Sequence, residues 1–253
     1  MQRVIITGAS SGLGTALARH YARRGAVLGL IARRTAELKR LADEIPSLTL
    51  IYPADVRDSA ALQSAAADFI ARYGCPDIVI ANAGVSTGTL TEFAEDLAAF
   101  QDAIDINVVG MVKTFQPFLA AMRAAGQGAL VGIASVAGYR GLPGAAAYSA
   151  SKAAAISYLE SLRIELAPSG VKVITICPGY IATPLTAKNP YPMPFLMSAA
   201  AAARKIAAII ERGQTFAVIP WQMAIVARIL GVLPNWLYDR LFGNAPHKPR
   251  REH

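Results

Sequence analysis

Short runs of apolar, β-branched residues alternate with longer amphipathic or alanine-rich stretches along most of the chain. The runs are apolar at nearly every position, as in strands buried on both faces, and predict strands at 4–7, 27–32, 48–53, 77–81, 128–134 and 171–176, with 216–219 as a further strand. Helical spacing between them predicts helices at 13–24, 35–44, 59–73, 92–125 (continuous or broken) and 148–167. The alternation predicts an α/β fold, a doubly wound parallel sheet of about seven strands with helices on both faces.

The composition is that of a protein with extensive burial. Hydrophobic residues make up 54% of the 253 residues and charged residues only 17%. No internal repeat divides the chain, and no linker rich in Pro, Gly or Ser occurs before residue 177. We therefore predict a single domain over 1–253.

Charge and cysteine content exclude several classes of function. The net charge is +8, but the basic residues are spread along the chain without a nucleic-acid-binding motif, so we expect no nucleic acid partner. The densest basic cluster, 247–253, is typical of a solvated, frayed end. The apolar run at 4–7 leaves no room for a secretory signal, which predicts a cytoplasmic protein. Cys75 and Cys177 would stay reduced there as small buried hydrophobes, and their spacing predicts no metal site.

A glycine-rich sequence, TGASSGLG at 7–14, directly follows the first predicted strand. Gly8 permits a sharp turn, Gly12 lets the backbone approach a pyrophosphate, and Gly14 lets the next helix pack closely on the sheet. The free N–H groups at the start of that helix would face the phosphates. Glycines at such a turn can be purely structural, but their position in a Rossmann-like alternation favours a dinucleotide.

Two arginines follow the second predicted strand, where a protein that binds NAD usually carries an acidic residue. Arg33 and Arg34 could instead hold a 2′-phosphate through charge-assisted hydrogen bonds. The alternative is a pair of surface arginines at the start of a helix, which the helix dipole mildly disfavours. We therefore predict NADP(H) as the cofactor.

A tyrosine and a lysine lie four residues apart in a segment otherwise composed of alanine and serine, AAAYSASKAAA at 145–155. Four residues is about one helical turn, so Tyr148 and Lys152 would share one face of a helix. Such pairs are common on helix surfaces, and the pair alone does not establish chemistry.

Seven motifs in order make the chain resemble a short-chain dehydrogenase/reductase over residues 3–184. They are TGASSGLG at 7–14, DV at 55–56, NAG at 82–84, Asn107, Ser135, the pair Tyr148 and Lys152, and PGYIAT at 178–183. The departures are small; one is a single asparagine at 82 where two consecutive asparagines are common. The resemblance implies an oxidoreductase that acts on a ketone or secondary alcohol with a nicotinamide cofactor.

The resemblance also implies roles for the matching residues. The catalytic residues would be Asn107, Ser135, Tyr148 and Lys152. Asp55 would accept a hydrogen bond from the adenine amino group, and further cofactor contacts would come from Gly8, Ser10, Ser11, Gly12, Leu13, Gly14, Arg33, Arg34, Val56, Asn82, Ala83, Gly84, Tyr148, Lys152, Pro178, Gly179, Ile181 and Thr183. Each has a structural alternative, such as turn capping by Asp55 or Asn82.

The tyrosine would act as general acid and base. A phenol with a pKa of about 10 ionises poorly at neutral pH, and an ammonium within about 4–6 Å lowers that pKa. Lys152 is placed to do so, and Ser135 would stabilise charge on the substrate oxygen. Asn107 would hold a water in a proton relay to Lys152, or be a satisfied amide at a helix kink.

The C-terminal part carries two further features. In the family, the segment 184–200 covers the substrate, and its Pro, Met and aromatic content suggests an apolar substrate. The apolar segment 213–242 is too short between Pro220 and Pro234 to span a membrane. We expect it to pack within the protein or on another subunit; peripheral attachment to the inner face of a membrane is the alternative.

Three functions therefore remain open. The leading one is a cytoplasmic NADP(H)-dependent oxidoreductase, which the resemblance implies to be a homodimer or homotetramer paired through helices near 97–124 and 148–167. The second is a membrane-associated reductase of a lipid-like ketone. The third is a non-catalytic NADP(H)-binding protein on the same fold.

Overall fold

A parallel sheet of seven strands forms the centre of the computed structural model, which describes residues 1–250. In space the strands run in the order β3-β2-β1-β4-β5-β6-β9, and every neighbouring pair is parallel. Their bounds are β1 Arg3–Thr7, β2 Val27–Ala32, β3 Thr49–Pro53, β4 Ile78–Ala81, β5 Ala129–Ile133, β6 Lys172–Pro178 and β9 Phe216–Ile219. Two-residue strands β7 (Ile181–Ala182) and β8 (Met197–Ser198) pair separately. The predicted fold class is confirmed, including the strand at 216–219.

Helices cover both faces of the sheet. They are α1 Gly12–Ala22, α2 Thr35–Glu44, α3 Ser59–Tyr73, α4 Asp96–Ile104, α5 Gly110–Ala125, α6 Ala146–Leu166, α7 Ala199–Glu211, α8 Trp221–Val232 and α9 Asn235–Phe242. Alternate strand residues point to opposite faces, so each strand contributes to two separate cores. In β1, Val4 and Ile6 join the core under α1, α2 and α7, whereas Ile5 joins the core under α3, α5 and α6.

The structure corrects the predicted helix at 92–125. The helix begins at Asp96, and a π-helical turn at Asp105–Val109 separates α4 from α5. The break that the sequence left open is therefore present, and Asn107 lies inside it.

The predicted loop at 184–200 ends too late. Its last residues form β8 and the start of α7, and no element was predicted for 199–211. Ser198 accepts a hydrogen bond from the N–H of Ala201 (3.2 Å) and so caps α7. The loop that was predicted to cover the substrate is correspondingly shorter.

The prediction of a solvated, frayed end is wrong for residues 247–250. The N–H of Gly88 donates to the carbonyl of Pro249 (2.9 Å), and Gly88 forms a parallel bridge with Arg250. The described end of the chain is thus held on the loop that follows β4. Residues 251–253, the rest of that predicted cluster, lie outside the described part of the chain.

The apolar C-terminal segment is only partly buried. Met223 and Ala227 are the buried residues of α8. Side chains on its other face, among them Trp221 and Val232, are exposed to 65% and 82%. Packing within this chain therefore covers one face of α8 and leaves the other open.

Candidate active site

The loops at the carboxyl ends of the strands surround a cavity of about 540 Å³. This edge of a doubly wound sheet is where ligands bind in such folds. The cavity brings together all the predicted site residues except Gly14 and Asn107, which lie behind its wall. Residues that the sequence reasoning missed also line it, including Val85, Ile133 and Leu185.

The glycine-rich turn has the geometry that its sequence predicts. Gly8 and Gly12 have φ values of +67° and +56°, a region that other residues rarely adopt. A Cβ on Gly14 would lie 2.3 Å from the Gly8 carbonyl oxygen, so only glycine allows α1 to pack this closely. The first turn of α1 contains no acidic residue. Its N–H groups and positive dipole therefore fit a phosphate group.

Asn82 holds this turn in place. Its side-chain nitrogen donates to the carbonyl oxygens of Thr7 (3.0 Å) and Gly8 (3.3 Å). The Thr7 hydroxyl in turn accepts from the backbone N–H groups of Asn82 (3.1 Å) and Ala83 (3.2 Å). Thr7 was not predicted as a site residue, yet it joins the ends of β1 and β4.

The two arginines lie at the same end of the cavity but make different contacts. Arg34 donates to the hydroxyl (3.1 Å) and the carbonyl (3.0 Å) of Ser10, and so ties the end of β2 to the glycine-rich turn. The side chain of Arg33 is 63% exposed, with its nearest carboxylate oxygen, on Asp55, at 3.7 Å. Arg33 is therefore the freer of the two guanidinium groups.

Asp55 is already paired within the protein. The Arg57 guanidinium donates to both of its carboxylate oxygens, at 2.8 Å to Oδ2 and 3.1 Å to Oδ1. These hydrogen bonds hold the pKa of Asp55 below its usual value. Arg57 was missed because neither its sequence position nor its residue type points to the site.

The Tyr148–Lys152 pair lies in the first two turns of α6, as the spacing predicts. The Lys152 ammonium donates to the Ile133 carbonyl (2.8 Å) and lies 5.8 Å from the centroid of the Tyr148 ring. Lys152 is only 5% exposed. Burial lowers its pKa to about 8.

The pKa of Tyr148 differs from the expectation. Burial raises it above the ordinary value, and the hydrogen bond with Ser135 opposes this only in part. A nearby ammonium favours phenolate, but removing the phenolate from water disfavours it more strongly here. Tyr148 is thus a neutral phenol in the protein alone.

Ser135 lies two residues after the end of β5 and beside this pair. Its Oγ accepts from the N–H of Ala137 (3.1 Å) and contacts the carbonyl of Pro178 (3.5 Å). These contacts fix the hydroxyl at the wall of the cavity.

Asn107 is fully buried, and protein atoms satisfy its amide. Its oxygen accepts from the N–H of Val85 (2.9 Å), and its nitrogen donates to the Val85 carbonyl (3.0 Å) and to Ser151 Oγ (2.9 Å). Ser151 also donates to the Tyr148 carbonyl (2.8 Å). The side chain therefore connects the loop after β4 to α6, as in the kink-amide alternative, and its role in a relay stays a prediction.

A compact turn follows β6 at the other wall of the cavity. The Thr186 hydroxyl accepts from the N–H of Thr183 (3.1 Å) and donates to the Ile181 carbonyl (2.5 Å). Gly179 packs against Met223 of α8, where an added Cβ would lie 2.6 Å from Met223 Cγ. The apolar C-terminal segment therefore supports the cavity from behind.

Residues 1–250 contain neither a candidate metal site nor a membrane-spanning helix. This part of the chain has no group of His, Cys, Asp and Glu side chains that could hold a metal ion. None of its helices combines the length and apolar character needed to cross a membrane. Both cysteines are free thiols; Cys177 is buried, whereas Cys75 is partly exposed.

Proteins of related sequence point to one family. The family model described as short chain dehydrogenase matches residues 2–192. The chain is 41% identical over 238 residues to an uncharacterized oxidoreductase of Myxococcus xanthus (strain DK1622), which covers 93% of this chain and 94% of that protein. It is 33% identical to the cis-4-hydroxycyclohexanecarboxylate dehydrogenase of Sinomonas cyclohexanicum, with 90% of this chain and 93% of that protein covered.

Solved structures agree. A short-chain dehydrogenase from Streptomyces avermitilis superposes with a TM-score of 0.80 at 28% identity, covering 90% of this chain and 91% of that one. The 3-ketoacyl-(acyl-carrier-protein) reductase of Brucella melitensis, complexed with NADH, gives 0.78 at 27% identity and covers 86% and 94%. The alcohol dehydrogenase of Thermococcus sibiricus, complexed with 5-hydroxy-NADP, gives 0.76 at 25% and covers 87% and 96%. The chain belongs to the short-chain dehydrogenase family.

Proposed function

We propose that the protein is an NADP(H)-dependent oxidoreductase that interconverts a ketone and a secondary alcohol, with Tyr148 as general acid and base. The placement of Ser135, Tyr148 and Lys152 in the same cavity as the glycine-rich turn carries this proposal. The family supports the reaction class. One relative is named for cis-4-hydroxycyclohexanecarboxylate, a secondary alcohol.

The residues of the cavity fit a dinucleotide from end to end. The N-terminus of α1 and the Gly12 backbone would hold the pyrophosphate, because a bare backbone there leaves space and free donors. Arg33 and Arg34 would hold a 2′-phosphate, and Ile181 and Thr183 would contact the nicotinamide end. When bound, the nicotinamide supplies or accepts the hydride.

The side chains at the other end would handle the proton. In reduction, the Tyr148 hydroxyl gives its proton to the substrate oxygen while the Ser135 hydroxyl donates a hydrogen bond to that oxygen. The raised pKa of Tyr148 keeps the phenol protonated at neutral pH, which is the form that reduction requires. The Lys152 ammonium then stabilises the phenolate that proton transfer leaves.

The test of the reaction is a screen of ketones and secondary alcohols, followed by nicotinamide absorbance, with Tyr148→Phe as the variant. The variant should lose turnover by about 10²–10⁴-fold or more, since the proton donor is absent. It should still bind NADPH in a fluorescence titration. Near wild-type turnover would remove Tyr148 from the mechanism. Tight NADPH binding with no turnover of any carbonyl by the wild type would favour the non-catalytic alternative.

Cofactor preference is tested at Arg33. Arg33→Ala removes the freer guanidinium and should weaken NADPH binding about tenfold or more while leaving NADH binding nearly unchanged. Arg23→Ala, which removes an exposed arginine at the end of α1, is the matched control. Alanine is preferable to aspartate because a new carboxylate would also repel Asp55. Equal loss of affinity for both cofactors would contradict the assignment to phosphate recognition.

An exposed apolar stripe on α8 and α9 favours a contact between subunits. Trp221, Ile225, Ile229, Val232 and Trp236 are all more than half exposed, and isolated surfaces rarely carry such a patch. We propose that the stripe packs on another subunit of a cytoplasmic homo-oligomer, a contact besides the family pairing through α4–α5 and α6.

Attachment to a membrane is the alternative, and with it reduction of a lipid-like ketone. Light scattering of the wild type and of Val232→Glu would show a smaller particle in the variant if the stripe joins subunits. Flotation of the wild type with anionic liposomes, lost in the same variant, would support the membrane instead.

A further inference from the structure

The returning segment, residues 245–250, comes back to the site over the loop after β4. Arg250 anchors it: Nε donates to Asp96 (2.8 Å), a second nitrogen donates to Glu95 (2.9 Å), and the guanidinium lies 3.5 Å from the centroid of the Phe93 ring. The Asp96 side chain is only 4% exposed. These ion pairs and the ring contact, together with the bridge at Gly88, fix the backbone directly after Lys248.

The anchoring also relies on close packing. A Cβ on Gly88 would lie 2.1 Å from the Lys248 carbonyl oxygen. A Cβ on Gly144 would lie 2.6 Å from His247 Cβ. The segment therefore fits into a space that two glycines leave open, at the entry to α6.

Lys248 brings a second ammonium to Tyr148. Its Nζ lies 5.8 Å from the centroid of the Tyr148 ring, the same separation as for Lys152. It donates to the hydroxyl of Ser86 (2.7 Å), which uses one of its three protons. The side chain is half-buried, and burial lowers its pKa to about 8.

This ammonium has no counter-ion within the described chain. Among residues 1–250 no carboxylate forms an ion pair with Lys248, and those of Glu95 and Asp96 pair with Arg250. A partly desolvated charge with unused donors is costly unless an anion meets it. The phosphates of a cofactor would lie at the glycine-rich turn and the arginines, away from Tyr148. A substrate that reacts at Tyr148 could bring an anion to this ammonium.

We propose that the returning segment forms one wall of the substrate site, and that Lys248 binds a carboxylate carried by the substrate close to its reacting carbon. This inference rests on the proposed function, because it takes Tyr148 as the reacting centre. It narrows the substrate class to keto acids and hydroxy acids, and adds a charged group to the apolar substrate that the sequence suggested.

Calorimetry can test the carboxylate site without turnover. Benzoate and 4-oxopentanoate, each beside its neutral amide, are titrated into wild type, Lys248→Met and Lys248→Arg. The wild type should bind each carboxylate about tenfold more tightly than its amide, Lys248→Met should lose that difference, and Lys248→Arg should keep most of it. Lys205→Met, which removes an exposed lysine on α7, should behave as the wild type.

Several results would overturn the proposal. In the first, the wild type binds carboxylates no better than amides, and in the second, the Lys248→Met variant keeps the difference between them. The third result is that Lys248→Met weakens binding of the carboxylate and of the amide equally. The last would mean that Lys248 shapes the wall without binding the anion. Thermal unfolding of each variant separates these results from loss of the fold.

Kinetics with 4-oxopentanoate and its methyl ester separate this inference from the proposed function. If Lys248→Met increases KM for the acid alone, the carboxylate site is supported. If the variant instead shifts the pH profile of kcat for both substrates, Lys248 tunes Tyr148 and the carboxylate site is refuted. Turnover of ketones without any preference for acids would leave the proposed function intact. Carboxylate binding through Lys248 without turnover of any carbonyl would refute the function and leave the anion site.

Discussion

Lys152→Met should make the protein more stable while it abolishes turnover. Lys152 is almost completely buried, and burial lowers its pKa from 10.5 to about 8. Each unit of pKa corresponds to about 1.4 kcal/mol, so keeping the ammonium protonated in the folded state at pH 7 costs about 3 kcal/mol. Methionine has a similar volume. Loss of the hydrogen bond from Lys152 to the Ile133 carbonyl destabilises the variant by about 1 kcal/mol. We expect a net stabilisation of about 2 kcal/mol.

The direction in which the stability gain of Lys152→Met changes with pH shows whether burial of the ammonium causes that gain. The folded pKa lies below the unfolded one, so the cost is fully present below about pH 8 and is relieved as the pH rises towards 10.5. By about pH 9.5 only about 1 kcal/mol of it remains, and the stabilisation in the variant should nearly vanish.

Urea unfolding at the two pH values, analysed by linear extrapolation, measures the difference in the free energy of unfolding between variant and wild type. Lys205→Met is the matched control, because this lysine is exposed on α7 and its loss should change stability little at either pH. A Lys152→Met variant that is less stable than the wild type at pH 7, or a gain that is the same at both pH values, would refute the reasoning.

Two further changes test how the site is built. Gly14→Ala should cost about 1–3 kcal/mol of stability and weaken NADPH binding, because the new Cβ lies 2.3 Å from the rigid Gly8 carbonyl oxygen and must push α1 away. Gly231→Ala is the control, because nothing lies within 4 Å of the added Cβ, and it should be neutral or slightly stabilising. Thermal unfolding measures stability in both variants, and an NADPH titration measures cofactor binding. Ser151→Ala should lower the free energy of unfolding in urea by about 1–3 kcal/mol, because it leaves a buried N–H of Asn107 without its partner. An unchanged stability would mean that another group satisfies the amide.

The sheet and the cofactor end of the site could be predicted from local sequence. A strand buried on both faces is apolar at every position, and such runs stand out without knowledge of their neighbours, as β2 shows. The glycine-rich turn is equally local, because Gly8, Gly12 and Gly14 are required by backbone geometry within a few residues. The pair Tyr148 and Lys152 shares a helix, so its spacing alone places both groups on one face.

Contacts between distant residues could not be predicted in this way. The break in the long helix falls at Asn107 because its amide bonds to Val85 and Ser151, 22 and 44 residues away. The sequence also did not indicate that Asp55 would be paired with Arg57, or that burial would raise the pKa of Tyr148 against the effect of Lys152.

By itself, the sequence determined the alternating strands and helices, the glycine-rich turn and the placement of Tyr148 and Lys152 on one helix face, since these depend on residue type and short spacing. Only the tertiary structure decided which charges are buried and which are paired. The end of the chain illustrates this: its basic residues suggested a solvated tail, but Arg250 meets Asp96, 154 residues earlier, and places Lys248 beside Tyr148. Burial and pairing set the energy of a charge, and both arise from neighbours that only the folded chain brings together.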